Sequence, residues 1–424
     1  MSPNENHFRN SVEQMKRIGN IRKKVLTKEN LEKVVQHLCR NEKKKNWTPS
    51  MKRKWSNLLK NKDMNLTMIY TDLMNMNYTF HPFNRFTRNE CGKIRQIYAS
   101  CPEDQIVDNI LTIALEYVFM GKKKIIHPHA YGSIKGRGQH ELREKIIKIL
   151  KNAEGQNIYV AVCDTRQYYP TINHKIMMRF LEHHIKDKWL LWLCKVTLER
   201  MPGDAGMALG LCSSNILGHI YHAAIDWHMT VEFGIKDYYR FCDDKIMIHK
   251  DKNFLHSAVR ELQQEVLGLK QEVKSNWRVI NASKERVPFL GGYINTTNAF
   301  IKPSGRRRIE RRIRKEIKLP FNSEQDCERI LKSWAGIMGG LKSLSIGNII
   351  STWEQKYSIF FERLAIAKNK VEERRAYKIK RKKIEAELYE AINIRSVENQ
   401  IKYPLTQCQS FIPVHIVPFS NRNI

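Results

Sequence analysis

The sequence predicts an α+β fold: a sheet covered by helices on one face, with a polar helical segment before it and basic helices after it. Three observations lead there. Strand-like and helix-like runs alternate through the middle of the 424-residue chain, the pattern of strands with helices packed on them. Residues 1–80 read as polar and helical. From about residue 303 the helical runs become intensely basic.

In "KENLEKVVQHLCRNEKKKN" the apolar residues Leu31, Val34, Val35 and Leu38 fall on one helical face, and "MKRKWSNLLKNKDMN" predicts a second helix. After Pro82, "NRFTRNECGKIRQIY" switches to strand alternation around Ile94, Ile97 and Tyr98. "PEDQIVDNILTIALEYVF" is helical: Pro102 stands early, acids occupy the first turn, and Ile106, Ile110, Leu111, Ile113, Ala114 and Val118 follow at helical spacing. "NIYVAVCDT" is an apolar strand ending on Asp164, followed by helices in "HKIMMRFLEHHIKDKWLLWLCKVTLE" and "SSNILGHIYHAAIDWHMTVEF". "DYYRF" and "DKIMIH" alternate as two strands of a hairpin around Cys242, Asp243 and Asp244. A polar helix, "NFLHSAVRELQQEVL", and a short hairpin, "PFLGGYINTTNAFI", complete the middle. The organisation expected is therefore 1–80, a helical extension; 81–302, the sheet-bearing part; and 303–424, basic helices with a Pro-punctuated tail.

The 74 Lys and Arg against 43 Asp and Glu leave a formal net charge of +31. Self-repulsion of that size is tolerated most easily against a polyanion, and nucleic acid is the usual one. No run of 18 apolar residues occurs, so no membrane span is expected. The N-terminal "MSPNENHFRNSVEQMKRIGNIRKK" has no apolar core of a secretory signal, and a cytoplasmic location is expected. The nine cysteines are scattered without Cys-x-x-Cys or zinc spacing, so reduced, mostly buried thiols are expected.

Against this charge, the adjacent Asp243 and Asp244 stand out. If the strand ending on Asp164 lies beside their hairpin, two or three carboxylates converge, and unit charges 4 Å apart repel by roughly 4 kcal/mol at an effective dielectric near 20. Such a cluster calls for divalent cations, and hard oxygen ligands suit Mg²⁺. Two ions there would serve an in-line phosphoryl transfer.

Six motifs then carry a family resemblance. "AVCDTRQYYPTINHKIM" resembles the reverse transcriptase pattern in which an Asp closes a strand and an aromatic pair with Pro follows. "YRFCDDKIMI" resembles that family's aromatic-x-Asp-Asp box, with Phe241 where Tyr is usual. "GMALGLCSSN" is similar to its Gly-x-Pro-x-Gly…Ser motif, and "VPFLGGYI" to its primer-grip hairpin. "GKIRQIYASCPEDQIVDNIL" and "AYGSIKGRGQHE" resemble the fingers segments upstream. The motifs fall in family order over about 80–300.

The resemblance implies a right-hand polymerase fold: a helical N-terminal extension, fingers and palm, then a basic helical thumb. It implies RNA-directed DNA synthesis from dNTPs with two Mg²⁺ ions, in a bacterial cytoplasm, on a structured noncoding RNA template. Asp164, Asp243 and Asp244 would be catalytic and metal-binding, with the Thr165 carbonyl a further ligand. Lys93, Arg95, Gln167, Tyr168, Tyr169 and Leu209 would hold the incoming nucleotide. Lys93 and Arg95 suit a triphosphate, and Tyr169 would exclude a 2′-hydroxyl. Phe289, Leu290 and Gly291 would position the primer end. Arg307, Arg311 and Arg314, on a helix whose narrow stripe of Ile309, Ile313 and Ile317 docks inward, would contact phosphates.

Two departures matter. Ala208-Leu209-Gly210 stands where Pro-Gln-Gly is common, and an aliphatic side chain cannot make the Gln hydrogen bond, which weighs against ordinary fidelity. That substitution and "LGLCSSN" resemble diversity-generating retroelement enzymes, with Asn215 in place of Gln. The same short architecture occurs in bacterial "unknown group" reverse transcriptases, including defence-associated ones. The reading leans to antiphage defence, with diversification second and a retron enzyme third. Template-independent synthesis and a catalytically silent RNA-binding module are the competing classes.

Overall fold

The computed structural model describes residues 17–40, 47–90 and 93–402, without the side chains of Glu90, Lys93, Arg375, Lys378, Lys382 and 385–402. The Pro-punctuated tail and the expected role of the Lys93 side chain therefore lie outside the described residues. By internal contacts the chain divides into two units, Met1–Gly305 with Lys342–Ile346, and Arg306–Leu341 with Gly347–Ile424.

The first unit begins with α1 (Ile21–Val25), α2 (Lys28–Cys39), α3 (Pro49–Lys60) and α4 (Lys62–Met74). Thr27 and Thr48 start α2 and α3 by accepting the backbone N–H three residues on. Leu31, Val34 and Val35 are buried as their spacing predicts, and Leu38 is half-buried. They join one apolar core with Ile106, Ile110 and Leu111 of α5 (Pro102–Glu116). Between lies a two-stranded ribbon, β1 (Asn84–Glu90) and β2 (Lys93–Ala99), paired antiparallel from Asn84↔Ala99 to Glu90↔Lys93.

The main sheet has the order β3-β5-β6-β4-β7, with β3 (Ala130–Tyr131), β4 (Tyr159–Asp164), β5 (Asp237–Phe241), β6 (Asp244–His249) and β7 (Arg278–Asn281). β3 runs parallel to β5, and the other pairs are antiparallel. The intervening helices are α6 (Gln139–Lys151), α7 (His174–His184), α8 (Lys188–Leu198), α9 (Cys212–Trp227) and α10 (Lys252–Gly268).

Here the structure corrects an expectation, because both faces of the sheet are covered. Ala161, Cys163, Tyr238 and Met247 pack on the apolar residues of α10 and on Ile225 of α9. Val160, Tyr239, Ile246 and Ile248 pack on Leu142, Ile146 and Leu150 of α6 and on a second sheet. That sheet is β8 (Val287–Phe289), β9 (Gly292–Ile294) and β10 (Ala299–Ile301), a three-stranded meander rather than the expected hairpin. Four successive buried residues in β6, Lys245 to Ile248, already require two covered faces.

The second unit is helical: α11 (Pro303–Lys318), α12 (Glu324–Leu341), α13 (Gly347–Lys356) and α14 (Ser358–Lys402). Ile313, Ile330, Ile337, Trp353, Phe360 and Leu364 are among its buried residues. Trp353 Nε1 donates to Glu310 at 3.1 Å. Ile309 and Ile317 are half-buried beside Ile313, while Arg307, Arg311 and Arg314 are exposed, as the narrow stripe on α11 anticipates. Among the described residues no helix is long and apolar enough to cross a membrane, and seven cysteines are free.

Candidate active site

Asp164 is the last residue of β4 and Asp244 the first of β6, and the two are Cα partners across the antiparallel pair. Directly opposed residues share a face of the sheet. Asp164 lies four residues from Val160 and Asp244 two from Ile246, so both carboxylates stand on the face that carries α6 and the second sheet. Asp243 lies in the two-residue turn between Phe241 and Asp244, which pair with each other. Cys242 completes that turn with φ +51°. The turn is tied to β4 by Thr165, whose N–H donates to the Asp243 carbonyl at 3.2 Å.

Two lysines of the chain already compensate the carboxylates. Lys274 forms an ion pair with Asp164 Oδ2. Its place is set by a short bridge between Thr165 and Val273, with the Lys274 N–H donating to the Asp164 carbonyl at 2.9 Å. Lys245 is fully buried and donates to Thr165 Oγ1 at 2.6 Å and to the Asp243 carbonyl at 3.3 Å. Burial and the Arg240 charge push its ammonium down to about 8. Burial, then Asp243 and Asp164, push the Asp244 carboxyl up to about 6, against the pull of Lys245 and Lys274. Half-buried Lys302 also senses Asp244. Lys274 and Lys302 reach the site from other segments of the chain, and Lys245, beside Asp244 on β6, reads in the sequence as a surface charge.

The residues present fit a divalent cation. Asp164 Oδ1 is buried without a hydrogen-bond partner, which is costly for a carboxylate oxygen and is what a hard cation relieves. Two other His/Cys/Asp/Glu groups have ligand atoms close enough to share an ion, His81-Cys101-Asp104 and His228-Glu261-Glu265. In the first, Asp104 is already held by Arg200 at 2.7 Å and Tyr78 at 2.8 Å. In the second, His228 bonds Glu261 and Glu232 at 2.7 Å each.

A buried network supports the hairpin from below. Arg240 of β5 is fully buried and donates to Asp226 of α9 from Nε at 2.8 Å and from Nη2 at 2.6 Å. Its Nη1 also reaches the Cys242 carbonyl at 3.3 Å and the Tyr168 hydroxyl at 3.4 Å. Tyr168 is buried and donates to the Gly218 carbonyl at 2.7 Å. Tyr169 is half-buried and donates to Asn215 at 2.9 Å. Gln167 is exposed with φ +47°.

The segment 206–215 is fixed on two sides. The Leu209 carbonyl accepts the Tyr98 N–H at 2.9 Å, so the half-buried Leu209 adjoins the strand of Lys93 and Arg95. A Cβ on Gly210, which has φ +123°, would lie 2.7 Å from the Tyr98 carbonyl oxygen, so only glycine fits. Asp108 of α5 caps α9, accepting the Cys212 N–H at 2.7 Å and the Ser213 N–H at 3.3 Å.

In the β1–β2 ribbon, Arg95 faces Arg88 directly. The β8–β9 turn is Leu290-Gly291, with φ +42° and +76°. Left-handed backbone costs a leucine about 1–2 kcal/mol.

Residues 85–294 match the family described as "Reverse transcriptase (RNA-dependent DNA polymerase)". Protein YkfC of Escherichia coli (strain K12) is 20% identical over 215 residues, 50% of this chain and 54% of that one. Apo telomerase from Candida tropicalis, truncated from its C-terminal domain, aligns in structure with TM-score 0.41 and 14% identity over 53% of this chain and 55% of that one. The chain thus spans about half the length of the curated relative it matches.

Proposed function

Because residues 85–294 are a reverse transcriptase domain with the right-hand polymerase fold, we propose that the chain synthesises DNA on an RNA template from dNTPs. The observation that carries this reading is the pairing of Asp164 with Asp244 on one sheet face, with a buried carboxylate oxygen left unpartnered. Asp164, Asp243 and Asp244, with the Thr165 carbonyl, would hold two Mg²⁺ ions. When bound, such ions activate a 3′-hydroxyl and stabilise the leaving pyrophosphate.

The chain's own residues supply the rest. Lys274 neutralises Asp164. Lys93 and Arg95 would meet the triphosphate, Arg95 by its bidentate fork. Tyr169, whose hydroxyl donates to Asn215 at 2.9 Å, would discriminate at the sugar. Gln167, Tyr168 and Leu209 shape the surrounding pocket, Tyr168 from beneath. Phe289, Leu290 and Gly291 position the primer end. The exposed Arg307, Arg311 and Arg314 bind duplex phosphates.

The net charge of +31 and the basic helices after residue 303 support a structured noncoding RNA as the template. The short architecture shared with defence-associated reverse transcriptases supports a role in antiphage defence, and the aliphatic Leu209 supports diversification as the alternative. The test is to purify the chain with co-expressed RNA, add Mg²⁺ and dNTPs, and sequence the products. DNA copied from the bound RNA, and lost in Asp243→Asn, is the expected result. Untemplated tracts would remove the template claim. No product beside tightly bound RNA would favour a silent RNA-binding module.

A further inference from the structure

Arg143 is a buried arginine that the reaction as described leaves unused. It lies on α6, only 2% exposed, between Leu142 and Ile146 of the core against the second sheet. Among the described residues no carboxylate pairs with it. Its Nη2 donates to the Leu290 carbonyl at 2.5 Å and its Nη1 to Ser343 Oγ at 2.6 Å, while its Nε is buried without a partner. A buried cation facing only neutral acceptors is an expensive arrangement, so a purely apolar packing role does not account for it.

The acceptor explains the choice. Leu290 and Gly291 form a two-residue turn with both φ angles positive, +42° and +76°, the primed geometry that Asn-Gly adopts readily and Leu-Gly does not. In such a turn the first central carbonyl points away from the hairpin and needs an external donor. Arg143 is that donor. Ser343 holds the other arm of the fork, and Leu344 lies close over Gly292, its Cδ2 3.0 Å from where a Cβ would be. The Ser345 N–H donates to the Ala299 carbonyl at 2.7 Å. The segment Lys342–Ile346 therefore closes over the meander at the place where Arg143 grips it.

We infer that Arg143 is a positioning residue for the primer end, acting through the Leu290 carbonyl to fix the Phe289–Gly291 turn. This rests on the primer-handling reading of that turn. Arginine is required because the fork reaches two acceptors at once, which a lysine ammonium on a shorter stem does not reproduce.

The test uses the full chain with Arg143→Lys, Arg143→Met, and Arg143→Met combined with Leu290→Asn. The expected result is a rise of about tenfold in the KM for primer-template in Arg143→Met, a smaller rise in Arg143→Lys, and an unchanged KM for dNTP. Leu290→Asn, which suits the left-handed position without a clamp, should recover most of the loss in the double variant. Equal changes in both KM values, or no recovery by Leu290→Asn, would overturn the inference. Hydrogen exchange at the 290–292 amides needs no catalysis and should quicken in Arg143→Met. Unchanged exchange would refute the clamp even in an active enzyme. Quickened exchange in Arg143→Met, alongside a wild-type chain that makes no DNA, would instead overturn the primer role together with the polymerase reading, and leave the clamp a purely structural one.

Discussion

Replacing Asp226 by Asn removes the only carboxylate facing the guanidinium of Arg240 among the described residues, and both groups are essentially fully buried. Three nitrogen–oxygen contacts of 2.6 to 3.0 Å join them. Asp226 also accepts the Tyr238 hydroxyl at 2.9 Å. Breaking one side of a buried pair costs about 3–5 kcal/mol, because the remaining charge stays desolvated. At roughly 2 °C per kcal/mol for a unit of this size, the melting temperature should fall by about 6–10 °C. The companion variant, Asp226→Leu with Arg240→Met, exchanges the pair for apolar groups of similar volume and should regain most of that loss. Its DNA synthesis should stay low, because the Cys242 carbonyl and Tyr168 hydroxyl have lost their Arg240 donor. Thermal melts by circular dichroism, read beside primer extension, separate the two effects. Melting of Asp226→Asn within about 2 °C of wild type, or a double variant no more stable than the single one, would refute the reasoning.

Two further outcomes follow from the site. The Asp244 carboxyl, raised from 3.8 to about 6, binds its proton more tightly folded than unfolded. Stability is therefore lost as pH rises from near 4 through 6. In metal-free protein, Asp244→Asn should be more stable than wild type by up to about 3 kcal/mol at pH 7 or above, a gap that narrows on acidification to about half that at pH 5. Denaturant melts in EDTA at the two pH values check it, and a gap that does not shrink at the lower pH would contradict it. Gly210→Ala forces a Cβ to within 2.7 Å of the Tyr98 carbonyl oxygen and should displace β2, raising the KM for dNTP about tenfold with RNA affinity held, in steady-state primer extension and filter binding.

Much of the candidate site was legible because local pattern and local structure agree there. "DYYRF" and "DKIMIH" alternate, and they form β5 and β6 around the carboxylates; "NIYVAVCDT" ends its strand on Asp164. What escaped is long-range. β3 has two residues and β7 four, too few for any periodicity to register. The meander was read as a hairpin because its third strand, Ala299–Ile301, is as short as its second turn. Lys245, Arg240 and Arg143 are buried charges, and sequence alone assigns charged residues to the surface. Asp226 and Arg240 stand fourteen apart on a helix and a strand, a spacing that no local rule connects. Lys274 reaches Asp164 from 110 positions away. The cover on both faces had one usable signal, the unbroken apolar run in β6, and Lys245 at its start disguised it.

The strand order also has a consequence for how the protein is made. β4 sits between β6 and β7, both of which leave the ribosome long after it. At about 5–20 residues per second, the roughly eighty residues from Asp164 to Asp243 take about 4–16 s to translate. For that interval the nascent strand has two open edges, each a template for mispairing. A chain interrupted before Asp243 carries only Asp164 of the three carboxylates. The candidate site is therefore assembled only late in synthesis.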